Sequence, residues 1–439
     1  MTTSSIKNKW TEKTLDECVL MLSGGTPSKR NPDYWNGNIC WASAKDLKTF
    51  RLYETQDRIT SKGASNGTRI APKGSILILV RGMTLHKDVP ISIVMQDMAF
   101  NQDIKAIIPD ESIIDKSFLV YWLLAFKPYL MGLVDSASHG TGRINTEVLK
   151  STLISFPSIS EQKAIAHILG TLDDKIELNQ QMNRTLEGIA RAIFKSWFID
   201  FDPVRAKMDG RQPAGMDAET AALFPDDFED SPLGKIPKGW KVETLKQVVK
   251  VNPRSVTKNY SHQVIQYVDI SSVTTGRLEK TTAYQLSDAP SRAKRLVRHG
   301  DTIWSGVRPN RRSYLFIHTP PENLVVSTGF VVLSPKAIPP SYLYAWVTTD
   351  EFVDYLTFNA DGSAYPAVRP DRFSDAQILI PLPAILDKFE LQVGSIRNKI
   401  FQSNYESRIM ALTRDTLLPK LLSGEIRIKD AEKVLEEVT

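Results

Sequence analysis

The sequence predicts a tandem α/β (α+β) duplication. Two globular domains of mixed strand and helix are each followed by a long helix, and the helices pair antiparallel as a coiled coil with pseudo-twofold symmetry. Three observations predict this. The chain matches itself at an offset of about 224 to 230 residues. A heptad seam follows the mixed part in each copy. Both seams carry polar residues at the same two layers.

The self-match is ordered. "KWTEKTL" (9–15) returns as "GWKVETL" (239–245), and "KGSIL" (73–77) as "HGDTI" (299–303). "FNQDIKAIIP" (100–109) returns as "VSTGFVVLSP" (326–335), and "SFLVYWLL" (117–124) as "SYLYAWVT" (341–348). "LISFP" (153–157) returns as "ILIP" (378–381). Within the mixed parts, "GSILILV" and "DTIW" read as buried strands. "ISIVMQDMAFNQDIKAIIP" reads as two more strands with a turn, and "SFLVYWLLAFKPYLMGL" has helical spacing. The expected organisation is a first globule at 1–157, a long helix at 158–200 and a linker at 201–238. A second globule at 239–382, a second long helix at 383–425 and a tail at 426–439 follow. The linker is assigned from its Pro, Gly and Asp content, with a short helix around "DAETAALF".

The first seam reads Ile165, Leu169, Leu172, Ile176, Asn179, Asn183, Leu186, Ala190, Ile193, Trp197. Shifted by about 224 residues it becomes Phe389, Val393, Ile396, Ile400, Ser403, Ser407, Met410, Arg414, Leu417, Leu421. Ser158 and Glu161 offer a capping box, Pro383 suits a first turn, and Pro419 is expected to kink or end the second helix. The first stripe covers about 33 residues, roughly 50 Å at 1.5 Å per residue. That outruns a domain of about 150 residues, whose radius of gyration is about 15 Å. Antiparallel pairing sets Asn179 and Asn183 against the Ser407 and Ser403 layers, which would fix register.

Composition bounds the function. The chain has 439 residues, 42% of them apolar and 24% charged, an ordinary globular balance for two or three domains. Net charge is +5, so any nucleic-acid binding rests on local patches. Cys18 and Cys40 form no CxxC, which suggests a reducing compartment. The start lacks an apolar signal core, and "SILILV" (75–80) is of strand length. A cytoplasmic protein without membrane segments is expected.

Two similar domains set about 50 Å apart suit duplex DNA, about 15 base pairs at 3.4 Å each. The side chains agree. Between Arg292 and Arg312 stand seven basic residues and one acid, Asp301. The turn there offers Arg308, Asn310, Arg311, Arg312 and Tyr314. The first copy offers Ser28, Lys29 and Arg30 in "GGTPSKRNPDYW", and Arg81, Thr84, His86 and Lys87 in "RGMTLHKD". The loops "SHGTGRINTE" (138–147) and "DGSAYPAVRPDR" (361–372) add His139, Arg143, Tyr365 and Arg369. A solvated surface charge is the alternative for any single arginine.

No P-loop, no [DNS]PP[YFW] element and no glycine-rich turn for S-adenosylmethionine stands in the sequence. The six histidines make no HExxH. "EQK" (161–163) lacks a convincing upstream aspartate for a nuclease metal site. Asp173, Asp174 and Glu177 read as an exposed helix face. No catalytic residue and no metal ligand is assigned.

The stretches "SISEQKAIAHILGTLDDKIELNQQMN" (158–183), "AIFKSWFIDFDPVRAK" (192–207), "LGKIPKGWKVETL" (233–245) and "LLPKLLSGEIRI" (417–428) resemble the specificity subunit of type I restriction–modification enzymes. The resemblance covers almost the whole chain. It implies two target-recognition domains alternating with two helical regions, in a subunit that is not itself catalytic. It implies binding of double-stranded DNA, and scaffolding of two modification subunits that carry S-adenosylmethionine and methylate adenine. Two restriction (translocase) subunits, using ATP and Mg, complete such assemblies where they are present. The outer faces of the helices and "SWFIDF", with Trp197, Phe198 and Phe201, would dock the modification subunits; core packing is the equal alternative for Trp197. The resemblance does not carry over the DNA contacts, because recognition loops differ between members. The alternatives are a self-contained methyltransferase or nuclease, and a structural DNA-bridging protein.

Overall fold

The computed structural model describes residues 10–137 and 141–438. The chain divides into two compact units, residues 1–179 with 405–439, and residues 180–404. The division therefore runs through both long helices, Ile159–Phe198 and Pro383–Ser423. The first half of one and the second half of the other belong to the first unit.

The first unit holds two main sheets. In one the order is Val19–Ser23, Ile104–Pro109, Ile76–Leu79, Ile91–Val94, Arg51–Leu52. In the other it is Asp57–Ile59, Trp35–Ala42, Met98–Phe100, Ile70–Ala71, with the middle pair parallel. The second unit repeats the scheme. Its sheets run Val249–Val251, Phe330–Pro335, Thr302–Ser305, Tyr314–Phe316, and Thr282–Gln285, Val264–Val268, Leu324–Ser327, Ala293–Leu296, again with the middle pair parallel. "ISIVMQDMAFNQDIKAIIP" forms three strands instead of two, because it is interrupted twice, at 95–97 and at 101–103.

The duplication extends to small devices. Thr14 and Glu17 form a capping box over Leu15–Cys18, and Thr244 and Gln247 form one over Leu245–Val248. Strand Thr11–Thr14 pairs with Leu153–Phe156 as Lys241–Thr244 pairs with Gln377–Ile380. The helix over "SFLVYWLLAFKPYLMGL" breaks into Lys116–Ala125 and Lys127–Gly132, with Pro128 in the first turn of the second piece.

In the first unit, Ile165, Leu169 and Leu172 join Met410, Leu417 and Leu421 in one core with the globule, and Ile176 packs against it. Each such buried side chain contributes roughly 1.5–3 kcal/mol. Asn179 Nδ2 donates to Ser407 Oγ at 3.2 Å. One and a half turns earlier, Arg414 pairs with Asp173. The partner numbers fall as the first helix rises, so the pairing is antiparallel, as the seam predicts. In the second unit, Phe389 and Val393 are buried, and Ile193 and Ile396 pack beside them. Leu186 and Ile400 are half-buried. Asn183 Nδ2 donates to Asn404 Oδ1 at 2.9 Å, beside the buried Ser403. Both polar layers meet polar partners. The second helix starts on Pro383 and runs one turn past Pro419 to Ser423.

Three expectations need correction. Asp173 does not lie on an exposed face: it is buried, accepting from the Tyr121 hydroxyl at 2.6 Å. Burial, with the Asp173 charge beside it, pushes the Tyr121 phenol far above its usual range, so it stays a donor. Glu177 and Asp174 both bind Arg51, Glu177 at 2.7 Å. Residues 201–238 are not a bare linker. They form helices Asp202–Met208 and Ala218–Leu223 and the hairpin Phe228–Ser231/Gly234–Pro237. Val204, Phe224 and Ile236, scattered among the polar residues, enter the core of the second unit. Trp197 and Phe198 are 5% and 1% exposed in that same core. Trp197 stands edge-on to Phe224 at 5.2 Å, and Phe198 to Phe389 at 5.0 Å. Half-buried Phe201 lies 5.8 Å from Trp240. A helix end rich in aromatics reads equally as surface or core until the segment that covers it is placed. None of the helices among the described residues is long and apolar enough to cross a membrane.

Asp173→Ala leaves Arg414 and Tyr121 without their buried acceptor, and should cost roughly 3–5 kcal/mol in urea denaturation. Replacing Asp173 and Arg414 together by leucine should recover the part of that loss due to the unpaired Arg414 charge, with the Tyr121 hydroxyl still lacking its acceptor. Equal losses in the single and double variants would show that the ion pair is not the cause.

Candidate nucleic-acid interface

The candidate loops of the first unit hang from one end of its sheets, tied together by backbone bonds. Gly25 N–H donates to Phe100 O at 2.9 Å, joining loop 24–35 to the turn 101–103. Arg81 N–H donates to Asp103 O at 3.3 Å, joining loop 81–88 to the same turn. Ile144 N–H donates to Val80 O at 2.9 Å, bringing in the strand Thr141–Ile144. Arg81 and Arg143 are direct cross-strand partners, and both are exposed.

Close packing sets the first loop. A Cβ on Gly24 would stand 2.2 Å from Phe100 O, and one on Gly25 2.2 Å from Gly67 O. Trp41 Nε1 donates to Gly25 O at 3.0 Å, and Trp35 Nε1 to Ser28 O at 3.2 Å. Ser28, Lys29 and Arg30 are left exposed, with the Lys29 ammonium 5.8 Å from the Trp35 ring. Thr84, His86 and Lys87 are exposed at or beside the short turn Met83–His86. Burial, then repulsion from Lys150 and Arg143, pulls Lys105 below the usual lysine range. That repulsion is the local positive field felt on a strand next to the loops. His139 lies outside the described residues.

The second unit repeats the arrangement. Gly306 N–H donates to Gly329 O at 2.9 Å, and Val368 N–H to Gly306 O at 2.7 Å. Arg308 N–H donates to Pro366 O at 2.7 Å, and Thr328 N–H to Arg292 O at 2.8 Å. The turn 308–312, the loop 361–368, the hairpin tip at 328–329 and Arg292 thus meet at one end. The Arg308 guanidinium lies 4.6 Å over the Tyr365 ring, itself 71% exposed. Arg312 pairs with Asp350 at 2.6 Å, and exposed Arg369 with Asp361 at 3.6 Å. Buried Asp301 anchors the other end of strand Thr302–Ser305. It accepts from Ser334 Oγ at 2.6 Å and from Arg298 N at 2.9 Å, and burial pushes its carboxyl up.

A family model described as the type I restriction modification DNA specificity domain matches residues 7–188. The chain is 24% identical over 434 residues to the type I restriction enzyme MjaIX specificity subunit of Methanocaldococcus jannaschii, across 97% of this chain and 95% of that one. The match to the family model thus covers the first part of the chain, and the similarity to a type I specificity subunit runs over nearly all of it. It is 32% identical over 183 residues to the EcoR124I/EcoR124II specificity subunit of Escherichia coli, which spans 41% of this chain and 44% of that one. The crystal structure of a type I restriction-modification S subunit from M. genitalium shares the fold, with a TM-score of 0.56 and 16% identity over 94% of this chain and 96% of that one.

One residue that the sequence places at the interface is misplaced. Tyr314 is 3% exposed, with its ring 5.2 Å from Trp304, because it opens a strand paired to Thr302–Ser305 and faces the core. The seven basic residues of 292–312 also separate: Arg298 lies before strand Thr302–Ser305 and Arg308 after it. Residues missed by the sequence reading enter the loop cluster. Gln102 accepts from Thr26 Oγ1 at 2.6 Å at the turn 101–103, and exposed Met83 sits between Arg81 and Thr84. The available signal for Gln102 was a turn between two strand patterns; Met83 carried none.

Gly25→Ala should disorder loop 24–35 while leaving the sheets intact, at about 1–3 kcal/mol of overpacking. Hydrogen exchange should rise at residues 24–35 and stay unchanged at Ile76–Leu79. A uniform rise would show that the glycine supports the whole unit.

Proposed function

We propose that this chain is a type I specificity subunit that reads a bipartite, asymmetric DNA sequence, one half-site per unit, and carries no catalytic groups of its own. The observation that carries the reading is the repeated loop cluster. In both units, basic and amide side chains from separate loops are drawn to one end of the same strand scheme. The scaffold repeats, and the side chains presented do not. Arg81, Arg143, Lys29 and Arg30 stand in one cluster, and Asn310, Arg311, Tyr365 and Arg369 in the other. Different side chains on like scaffolds suit two different half-sites, and their positive charge suits phosphates.

Methylation then belongs to two modification subunits carrying S-adenosylmethionine, and cleavage to restriction subunits using ATP and Mg where these are present. With Trp197 and Phe198 withdrawn into the core, the docking surface falls to other residues. Tyr405, Ile409 and Leu412 are 60%, 36% and 59% exposed at spacings of four and three, and so share one face of the second long helix. Leu391, on the same helix in the second unit, is 68% exposed. Such apolar exposure suits partner helices. A DNA ligand of this kind implies work in the cytoplasm.

Two outcomes test the reading. Exchanging residues 1–155 for those of another family member should change one half of the methylated sequence, read by single-molecule sequencing; a change in both halves refutes modular reading. Arg81→Ala and Arg143→Ala should each lower the slope of log affinity against log salt by about one. An unchanged slope removes that strand pair from the interface.

A further inference from the structure

The turn after strand Thr302–Ser305 is held in a conformation that its residues resist. Arg308 and Arg312 have φ of 52° and 55°, the left-handed region that arginine rarely adopts, on either side of the short turn Pro309–Arg311. Strain of this kind persists only where surrounding contacts impose it. Here the contacts are explicit. Arg308 is bound through its N–H to Pro366 O at 2.7 Å, and through its guanidinium to Ala364 O at 3.4 Å and the Tyr365 ring. Arg312 is bound to Asp350 and, through its N–H, to Pro309 O at 2.9 Å. Pro309 is buried beneath the turn. Both outer arginines are thus engaged by their own protein.

The two residues between them are not. Asn310 and Arg311 are exposed, and neither side chain has a hydrogen bond or ion pair among the described residues. Their chemistry is complementary to two particular bases. A carboxamide donates to adenine N7 and accepts from its N6 amino group, and a guanidinium donates two parallel hydrogen bonds to guanine O6 and N7. We propose that Asn310 and Arg311 read an adenine and a guanine of the second half-site in the major groove, with Arg308 and Arg312 as positioning residues that hold the strained turn. The proposal rests on the DNA-reading function and names the bases and readers within it. Pre-organisation is what the clamp provides: the readers are placed before DNA arrives, so less ordering cost falls on binding.

The test uses the complex with its modification subunits. Its products are sequenced for methylated adenine, and its affinity is measured on duplexes varied in each half. Arg311→Ala should leave one guanine unspecified, and Asn310→Ala one adenine. Discrimination at that position should fall roughly 5- to 150-fold, the range of one bidentate contact, with the other half unchanged. Asn310→Asp should shift the preference at its position towards cytosine, whose amino group a carboxylate accepts. Arg308→Gly and Arg312→Gly accept the left-handed backbone but release the side-chain clamp, so each should weaken binding of the second half-site less than Arg308→Val does, with the recognised bases unchanged. Arg308→Val does not accept that backbone, and should lose about tenfold or more in affinity for the second half-site. A recognised sequence unchanged by Asn310→Ala and Arg311→Ala overturns the proposal while leaving the function intact. So does an Arg311→Ala complex weakened equally on every duplex with a salt slope lower by about one, which is the mark of a phosphate contact. Loss of all methylation in both Asn310→Ala and Asn310→Asp also counts against it, because a reader loses its base and not the reaction. A wild-type complex with no preference in the second half would sink both proposal and function.

Discussion

The antiparallel fit of the two long helices, and the polar layers within it, is the constraint on which the rest depends. A seam of aliphatic side chains alone tolerates a shift of one heptad. Asn179 against Ser407 and Asn183 against Asn404 do not. A shift would set each amide against an aliphatic layer, where a buried polar group without a partner costs about 1–3 kcal/mol. Asp173 with Arg414 adds a charged lock in the first unit, sealed by Tyr121. Each unit contains half of each helix, so each core draws on both helices, and the first also on the end of the chain.

On that base each unit carries the same strand scheme, and the scheme decides where variable side chains can stand. Loops leave one end of the sheets and are joined by main-chain hydrogen bonds that do not depend on side-chain identity. Gly25 to Phe100, Arg81 to Asp103, Gly306 to Gly329 and Arg308 to Pro366 are all of this kind. The residues that would meet DNA can therefore change without unsettling the frame. The two units illustrate this: like backbones present paired arginines in one and an asparagine–arginine turn in the other.

Charge in this protein divides into committed and available groups. Arg51, Arg312 and Arg414 are held by carboxylates of their own unit. Arg30, Arg81, Arg143 and Arg311 stand exposed at the loop ends. A net charge of +5 hides this division, because an ion-paired arginine and an available one count the same in a sum.

By itself the sequence determined the duplication, the two long helices, their antiparallel register and the loops that gather the basic residues. These rest on periodicity and self-similarity, which are written along the chain. Only tertiary structure decided which members of those patterns face inward. Phe198 read as a docking surface, and Trp197 as either surface or core, until Phe224, Trp240 and Phe389 cover them. Tyr314 read as a contact until strand pairing turned it to the core, and Asp173 as a solvated charge until Tyr121 and Arg414 reached it. The stretch 201–238 read as a linker because its apolar residues are sparse, yet three of them find a cavity to fill. In each case the deciding partner lies far away in sequence, and burial is a property of the pair, which local composition does not encode.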